Sequence, residues 1–107
     1  MYITVIYLNV YRLPKPISFD WDRGNADKNW KKHGISQKES EEVFFNKPKI
    51  LKDKKHLQIE IRLVAFGTTK KGGGLYIVFM IRNDKIRVIS ARRQSKKERN
   101  YYESKKS

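Results

Sequence analysis

The chain has 107 residues, no cysteine and two histidines, and its 25 Lys and Arg outnumber its 11 Asp and Glu. This length accommodates one domain with a modest core, and the lack of cysteine excludes disulfides and thiolate zinc sites. The net charge of +14 indicates a polyanionic or acidic partner, such as RNA, DNA, an anionic membrane or an acidic protein. The charge is concentrated in residues 59–107, which hold 13 basic and four acidic side chains.

Residues 1–16 form an apolar and aromatic segment that we interpret as an N-terminal extension. Its β-forming residues predict an extra strand. The segment is shorter than the roughly 20 residues that cross a bilayer, and it lacks the basic leader and cleavage site of a signal peptide. We therefore expect a cytoplasmic protein that does not contact membranes, in which residues 17–107 form a single domain.

Capping residues mark two helices in the first half of this domain. After a short predicted strand at residues 17–21, Asp22 is a good N-cap for a helix of about residues 23–33, and Gly34 supplies its left-handed end. Ser36 begins a capping box for a second helix. The spacing of that helix turns three residues toward the core: Ser40, Val43 and Phe44.

Four later segments are predicted to be strands: residues 50–51, 57–66, 75–81 and 85–90. Residues 75–81 are apolar on both faces and fit a central strand. Residues 83–84 are typical of a hairpin turn, and the last strand is expected to end in a corner at residues 90–92. A capping box formed by Ser95 and Glu98 opens a final helix. This order predicts an α+β fold, with a mostly antiparallel sheet, two N-terminal helices and a C-terminal helix.

A combination of short motifs extends through residues 17–103. It comprises Phe19-Asp20-Trp21-Asp22, Asn29, Lys32-His33-Gly34, Val43-Phe44, Arg62, Phe66-Gly67, the run from Arg87 to Arg92, Glu98-Arg99 and Tyr102. Together these motifs resemble the BrnT family of bacterial toxins. The resemblance implies a RelE-like fold, ribonuclease activity that stops translation, and neutralisation by the antitoxin BrnA, whose ribbon-helix-helix part binds operator DNA.

The chain departs from the family pattern at three positions. Family members usually carry Lys where this chain has Asn25, an aromatic residue where it has Gln37, and Thr where it has Met80. The first departure removes one candidate phosphate contact. Residues 1–16 lie outside the pattern altogether.

RNA cleavage without a metal needs removal of the 2′-OH proton, stabilisation of the phosphorane charge, and protonation of the leaving oxygen. Arg62, Arg87 and Arg92 are our catalytic candidates for the second task, because a guanidinium stays charged and its fork matches phosphate oxygens. Strand alternation, together with the corner expected at residues 90–92, predicts that the three arginines line one surface. The alternative is that each arginine pairs with solvent or with a carboxylate such as Glu60 or Glu98.

His33 is a further catalytic candidate, as a general acid or base. Its position before Gly34 fits equally a cation that stabilises a helix C-terminus. Outer contacts to RNA are expected from five side chains: Lys32, Arg82, Arg93, Arg99 and Tyr102. Tyr102 has an alternative role as the residue that anchors the last helix in the core.

Two functions therefore compete. The first is a metal-independent endoribonuclease toxin whose partners are RNA and a BrnA-like antitoxin, with operator DNA contacted only through the antitoxin complex. The second is a non-catalytic basic module that binds RNA or an acidic partner chain. Neither function requires a cofactor, and no metal site is predicted, since Asp22 of the Asp20–Asp22 pair is explained as an N-cap.

Overall fold

The computed structural model describes residues 13–52 and 61–104, apart from the side chains of Tyr102 and Ser104. Its elements follow in the order α1 (Arg23–His33), α2 (Gln37–Phe44), β1 (Lys49–Lys52), β2 (Leu63–Thr68), β3 (Gly74–Arg82), β4 (Lys85–Arg93) and α3 (Lys96–Ser104). The strands form one antiparallel sheet in the order β1-β2-β3-β4. The predicted α+β fold, with two helices before the sheet and one after it, is confirmed.

Two of the predicted strands fall partly outside these residues. The extra strand in residues 1–16 lies mostly there, although Leu13 packs against the main core. The first half of the strand predicted at residues 57–66 lies there as well, and β2 runs on to Thr68. In the part of the chain that is described, no helix is long and apolar enough to cross a membrane.

Capping interactions set the helix starts as predicted. Asp22 accepts a hydrogen bond from the backbone N–H of Asn25, whose side chain accepts one from the backbone N–H of Asp22. Gly34 ends α1 with φ of 68°, a left-handed conformation that costs glycine little. Ser36 and Glu39 form the same reciprocal pair at α2. Such N-caps typically stabilise a helix by about 1 kcal/mol each.

Both faces of the central strands are buried, which is why β2 and β3 are apolar on both sides. On the face covered by α2, the rings of Phe44 and Phe79 meet edge to face at 5.0 Å. On the opposite face, Phe66 packs against Tyr76 at 5.0 Å and against Tyr101 of α3 at 5.8 Å. These two sides of the sheet are called the α2 face and the α3 face below.

The strand predicted at residues 17–21 is reduced to one parallel bridge between Phe19 and Ile86. The backbone N–H of Ile86 donates to the carbonyl of Ser18 at 2.9 Å, and the carbonyl of Ile86 accepts from the N–H of Asp20 at 2.8 Å. Pairing stops there because Asp22 already begins α1. The bridge therefore covers only the first part of the outer edge of β4.

The last strand is longer than predicted and contains a bulge. It continues through Arg93, so the corner expected at residues 90–92 is wrong. The pairing between β3 and β4 shifts by one position at Ile89, which is left without a partner in β3. A bulge bends and twists a strand without ending it. As a result Arg92 lies within β4, opposite Tyr76.

Two buried asparagines of α1 bind the outer edge of β4 around this bulge. The side-chain amide of Asn25 donates to the carbonyl of Val88 at 3.1 Å, and the Oδ1 of Asn29 accepts from the N–H of Ala91 at 2.9 Å. Asn29 is only 2% exposed. Because a buried backbone group without a partner costs about 1–3 kcal/mol, these two amides fix α1 against the sheet.

Candidate functional site

The strand register places two of the candidate arginines on the α3 face. Arg92 lies opposite Tyr76 and Arg87 opposite Met80, and these two β3 residues are four positions apart, on the same side of their strand. Arg62 precedes β2 by one residue, and continuing the alternation of β2 assigns it to this face too. The register therefore places Arg87 and Arg92 on the α3 face, and side-chain alternation along β2 assigns Arg62 to the same face.

Arg92 is bound by a carboxylate from the helix that follows it. Its Nη1 donates to Oε1 of Glu98 at 2.7 Å, and its Nη2 donates to Oε2 at 2.9 Å. Oε1 of Glu98 also accepts from the backbone N–H of Ser95 at 2.8 Å, as the predicted capping box requires. Glu98 therefore caps α3 and at the same time fixes the Arg92 guanidinium.

An aromatic ring supports one flat side of the same guanidinium. The Cζ of Arg92 lies 4.1 Å from the ring centroid of Tyr76, which is a cation–π distance. Tyr76 is itself only 4% exposed, and Phe66 lies against it. The side chain of Arg92 remains one-third exposed, against 11% for that of Glu98. We call Arg92, Glu98 and Tyr76 the Arg92 cluster.

Both charges of this pair are stabilised. Burial raises the pKa of the Glu98 carboxyl, but the hydrogen bonds from Arg92 and Ser95 outweigh it, so the net pKa lies below its ordinary value. The hydrogen bonds to Glu98 raise the pKa of Arg92 against the effect of desolvation. Glu98 is consequently a carboxylate at neutral pH and a weak proton acceptor.

Arg87 belongs to a different cluster, which joins β4 to the start of α1. Its Nη2 donates to Oδ2 of Asp22 at 2.7 Å, and its Nη1 lies 3.5 Å from Oδ2 of Asp20. The backbone N–H of Asn25 and then Arg87 hold the pKa of Asp22 below its usual value, and the bond to Asp22 raises the pKa of Arg87. Arg87, Asp20 and Asp22 form the Arg87 cluster, which has one carboxylate more than it has guanidinium groups.

The remaining predicted residues are dispersed. His33 is the half-buried last residue of α1, and within the described ranges no hydrogen bond or ion pair joins it to the three candidate arginines. Arg82 ends β3, where its Nη2 contacts the sulfur of Met80 at 3.6 Å. The side chain of Tyr102 lies outside the described structure, and its neighbour Tyr101 packs on Phe66. Three predicted phosphate contacts are exposed: Lys32, Arg93 and Arg99.

Several residues of the site region were not predicted as functional. Glu98 was assigned to its helix cap and weighed as a possible partner of the arginines, and the capping box was the signal that located it. No sequence signal pointed to Tyr76, because it reads as one more apolar residue of a central strand. Asn25, where the family pattern has Lys, is 8% exposed and bonded to the backbone. In this chain the Asn25 side chain therefore stabilises the fold by bonding to the backbone of Asp20 and Val88.

The described residues border two hollows on the protein surface. A hollow of about 520 Å³ is bordered by α2 and the β2–β3 turn, with Phe45 and Lys70 in its lining. A second, of about 410 Å³, lies beside the β3–β4 turn near Lys15 and Lys85. Across residues 13–52 and 61–104, no three His, Asp or Glu side chains converge as a metal site would require. Neither hollow includes a residue of the Arg92 cluster.

A family model described as "Ribonuclease toxin, BrnT, of type II toxin-antitoxin system" matches residues 21–98. The matched region spans α1, α2 and the whole sheet, and it ends at Glu98 in the first turn of α3. It includes Arg62, Arg87 and Arg92, and it stops before Arg99. No curated protein matches the chain.

Proposed function

Because the chain belongs to the BrnT family of ribonuclease toxins of type II toxin–antitoxin systems, we propose that it cleaves RNA without a metal ion and thereby inhibits translation. The observation that supports this most directly is the Arg92 guanidinium. It is one-third exposed, bonded on one edge and supported on one face by an aromatic ring. A positive charge at a fixed place on a basic surface suits the binding of a phosphodiester.

In the proposed reaction the 2′-oxygen of a ribose attacks the adjacent phosphorus and the 5′-oxygen leaves. Negative charge grows on the two non-bridging oxygens as phosphorus becomes five-coordinate. Arg92 would stabilise that charge, and removing one such preorganised donor typically costs 10²–10³-fold in rate, or about 3–4 kcal/mol. The low pKa of Glu98 argues against using it as the base that removes the 2′-OH proton.

We assign the other predicted residues to RNA binding or to the fold. Arg62 and the exposed basic residues near the ends of β3, β4 and α3 would bind neighbouring phosphates: Arg82, Arg93 and Arg99. Lys32 on α1 is a more distant contact of the same kind. Arg87 faces two carboxylates, so a phosphate beside it would meet a net negative charge. The catalytic role predicted for His33 stays a prediction, to be tested by the His33→Gln variant.

A type II toxin has a protein antitoxin, and we propose a BrnA-like chain with a ribbon-helix-helix part. Its toxin-binding segment would be acidic and would cover the α3 face, because residues 59–107 hold 13 of the 25 basic side chains. RNA and antitoxin would then exclude each other. Operator DNA would be bound by the antitoxin within the complex.

The test is growth arrest on induced expression, followed by cleavage of RNA by the purified chain in the presence of EDTA. We expect arrest and EDTA-resistant cleavage by the wild-type chain, and relief of the arrest when the antitoxin is expressed with it. Salt-sensitive RNA binding without any cleavage would instead favour the non-catalytic binding module. Cleavage that EDTA abolishes would contradict the metal-independent reaction.

A further inference from the structure

The five N–H groups of the Arg92 guanidinium are divided unequally between the protein and its surroundings. One N–H of Nη1 and one of Nη2 bond to Glu98, at 2.7 and 2.9 Å. The second N–H of Nη1 donates to the carbonyl of Arg93 at 3.2 Å. Three of the five donors are thus used by the chain itself.

The two donors that remain lie side by side. They are the N–H of Nε and the second N–H of Nη2, and within the described part of the chain no acceptor is bonded to either. Together they make the side edge of the guanidinium, one of its two edges that fit two oxygens of one phosphate. The end edge, between Nη1 and Nη2, is the one that Glu98 occupies.

The contacts of Arg92 also restrict how this edge can turn. Rotation about the Cδ–Nε bond would break both bonds to Glu98, and tilting the plane would separate Cζ from the Tyr76 ring, which lies 4.1 Å away. Glu98 is in turn fixed by the N–H of Ser95 at the start of α3. The direction of the side edge is therefore set by a strand, a helix cap and an aromatic ring.

We propose that Glu98 is a positioning residue, which holds Arg92 so that its Nε–Nη2 edge receives the phosphate that reacts. This inference rests on the proposed ribonuclease function. Glu98 does not touch RNA in this arrangement, and α3 belongs to the site because it delivers the carboxylate. Tyr76, whose ring lies against one flat side of the guanidinium, also positions Arg92.

The negative charge of Glu98 also acts against the binding of a phosphate to Arg92. The carboxylate of Glu98 lies on the edge of the guanidinium next to the one that receives the phosphate, and its negative charge repels the phosphate. Because the carboxylate is farther from the phosphate than the guanidinium is, the attraction by Arg92 remains the larger effect. Glu98 therefore lowers binding of the ground state slightly and improves the orientation of the donor. Loss of Glu98 should therefore slow the reaction without weakening RNA binding.

The first experiment follows the Arg92 side chain by ¹⁵N NMR while a 2′-O-methyl RNA oligonucleotide, which lacks the attacking hydroxyl, is added. We expect the Nε–H signal of Arg92 to shift, and its Nη1 and Nη2 signals to stay separate, because rotation of the guanidinium remains restricted as in the free chain. Displacement of Glu98 by the phosphate would free the Nη groups and overturn the proposal. A shift of Nε–H in a chain that cleaves no RNA would support the positioning role and refute the ribonuclease function.

The second experiment compares Glu98→Gln with Glu103→Gln, a matched loss of one carboxylate from the exposed side of α3. Glutamine keeps an acceptor for Ser95 but cannot accept from both Nη groups. We expect the single-turnover cleavage rate of Glu98→Gln to fall about tenfold to a hundredfold, the range expected for a misplaced catalytic group. Binding of the 2′-O-methyl oligonucleotide should be unchanged or tighter, and Glu103→Gln should behave as wild type.

A further pair of variants examines the ring. Tyr76→Phe keeps an aromatic ring under the guanidinium and Tyr76→Leu does not, so Tyr76→Phe should cleave RNA faster than Tyr76→Leu at equal RNA saturation. Thermal melting establishes that each variant is folded. If Glu98→Gln cleaves as fast as the wild type while Arg92→Ala is inactive, Glu98 does not position Arg92 and the inference is wrong.

Discussion

Arg87 and Arg92 are on the same face of β4, but their neighbours give them different properties. Arg87 meets two carboxylates, Asp20 and Asp22, so its surroundings are negative even when its own charge is counted. Arg92 meets one carboxylate and an aromatic ring, and its side chain is more exposed, at 33% against 20%. The same residue type on one strand thus serves the fold at one end and is available to a phosphate at the other.

The sharpest test of this difference is to remove each guanidinium in turn. Arg92→Ala should lower RNA cleavage by at least about a hundredfold, because a preorganised donor to the phosphorane is lost, while Arg87→Ala should retain cleavage within a few-fold. Single-turnover rates at saturating RNA measure both. Equal losses in the two variants would remove the distinction between the clusters.

Thermal stability should respond in the opposite order. Arg87→Ala breaks the link between β4 and the N-cap of α1, and it leaves Asp20 and Asp22 facing each other without a cation. We expect its melting temperature to fall by roughly 2–5 °C, a modest change because Asp22 is half exposed. Replacing Asp22 by Asn, which preserves the cap, should reproduce most of this change. An Arg87→Ala chain as stable as the wild type would show that the cluster contributes nothing measurable.

The salt dependence of RNA binding separates the two arginines by a smaller amount. For single strands the log–log slope is about −0.7 per neutralised phosphate, so four to six contacts give about −3 to −4. Arg92→Ala should make the slope less steep by about 0.7, and Arg87→Ala should leave it unchanged. Fluorescence anisotropy with the 2′-O-methyl oligonucleotide between 50 and 300 mM salt, roughly the range in which such contacts are lost, measures it. A flat response in the wild type would place RNA on another surface.

The smallest expected effect is the pH dependence of the Arg92–Glu98 pair. The pKa of Glu98 in the folded chain lies below its ordinary value of 4.5. Such a group contributes stability above its unfolded pKa, and the contribution is lost as the pH falls through the folded pKa. The difference in melting temperature between wild type and Glu98→Gln should be constant above about pH 5 and shrink below about pH 4. A difference that does not change with pH would mean that the ion pair is not its source.

The helices and their starts were predictable from sequence because the signals are local. A capping residue and its partner three positions later, such as Ser36 and Glu39, interact within the same few residues whatever surrounds them. Strand positions followed from apolar runs, which depend on burial alone. The same signal, Ser95 with Glu98 three positions later, also located Glu98 at the start of α3. It predicted the capping bond of this carboxylate but did not reveal its bond to Arg92.

What could not be predicted depends on contacts between distant parts of the chain. The bulge at Ile89 is stabilised by Asn25 and Asn29, more than 60 positions away in sequence. Without knowledge of that contact, Ser90-Ala91-Arg92 was interpreted as a corner. Similarly, the packing of Tyr101 on Phe66 depends on the phase of α3 to within one residue, which capping signals do not fix.

The amides of Asn25 and Asn29 also determine how this sheet can grow. A strand at the edge of a sheet offers its outward N–H and C=O groups to any extended chain that approaches. On β4 four such groups are already bonded: the N–H and C=O of Ile86 by the Ser18–Asp20 backbone, and the C=O of Val88 and the N–H of Ala91 by the two asparagines. An antitoxin segment or a second toxin molecule therefore gains no strand pairing here unless α1 first separates from the sheet, and the toxin's basic strand is protected from edge-to-edge association.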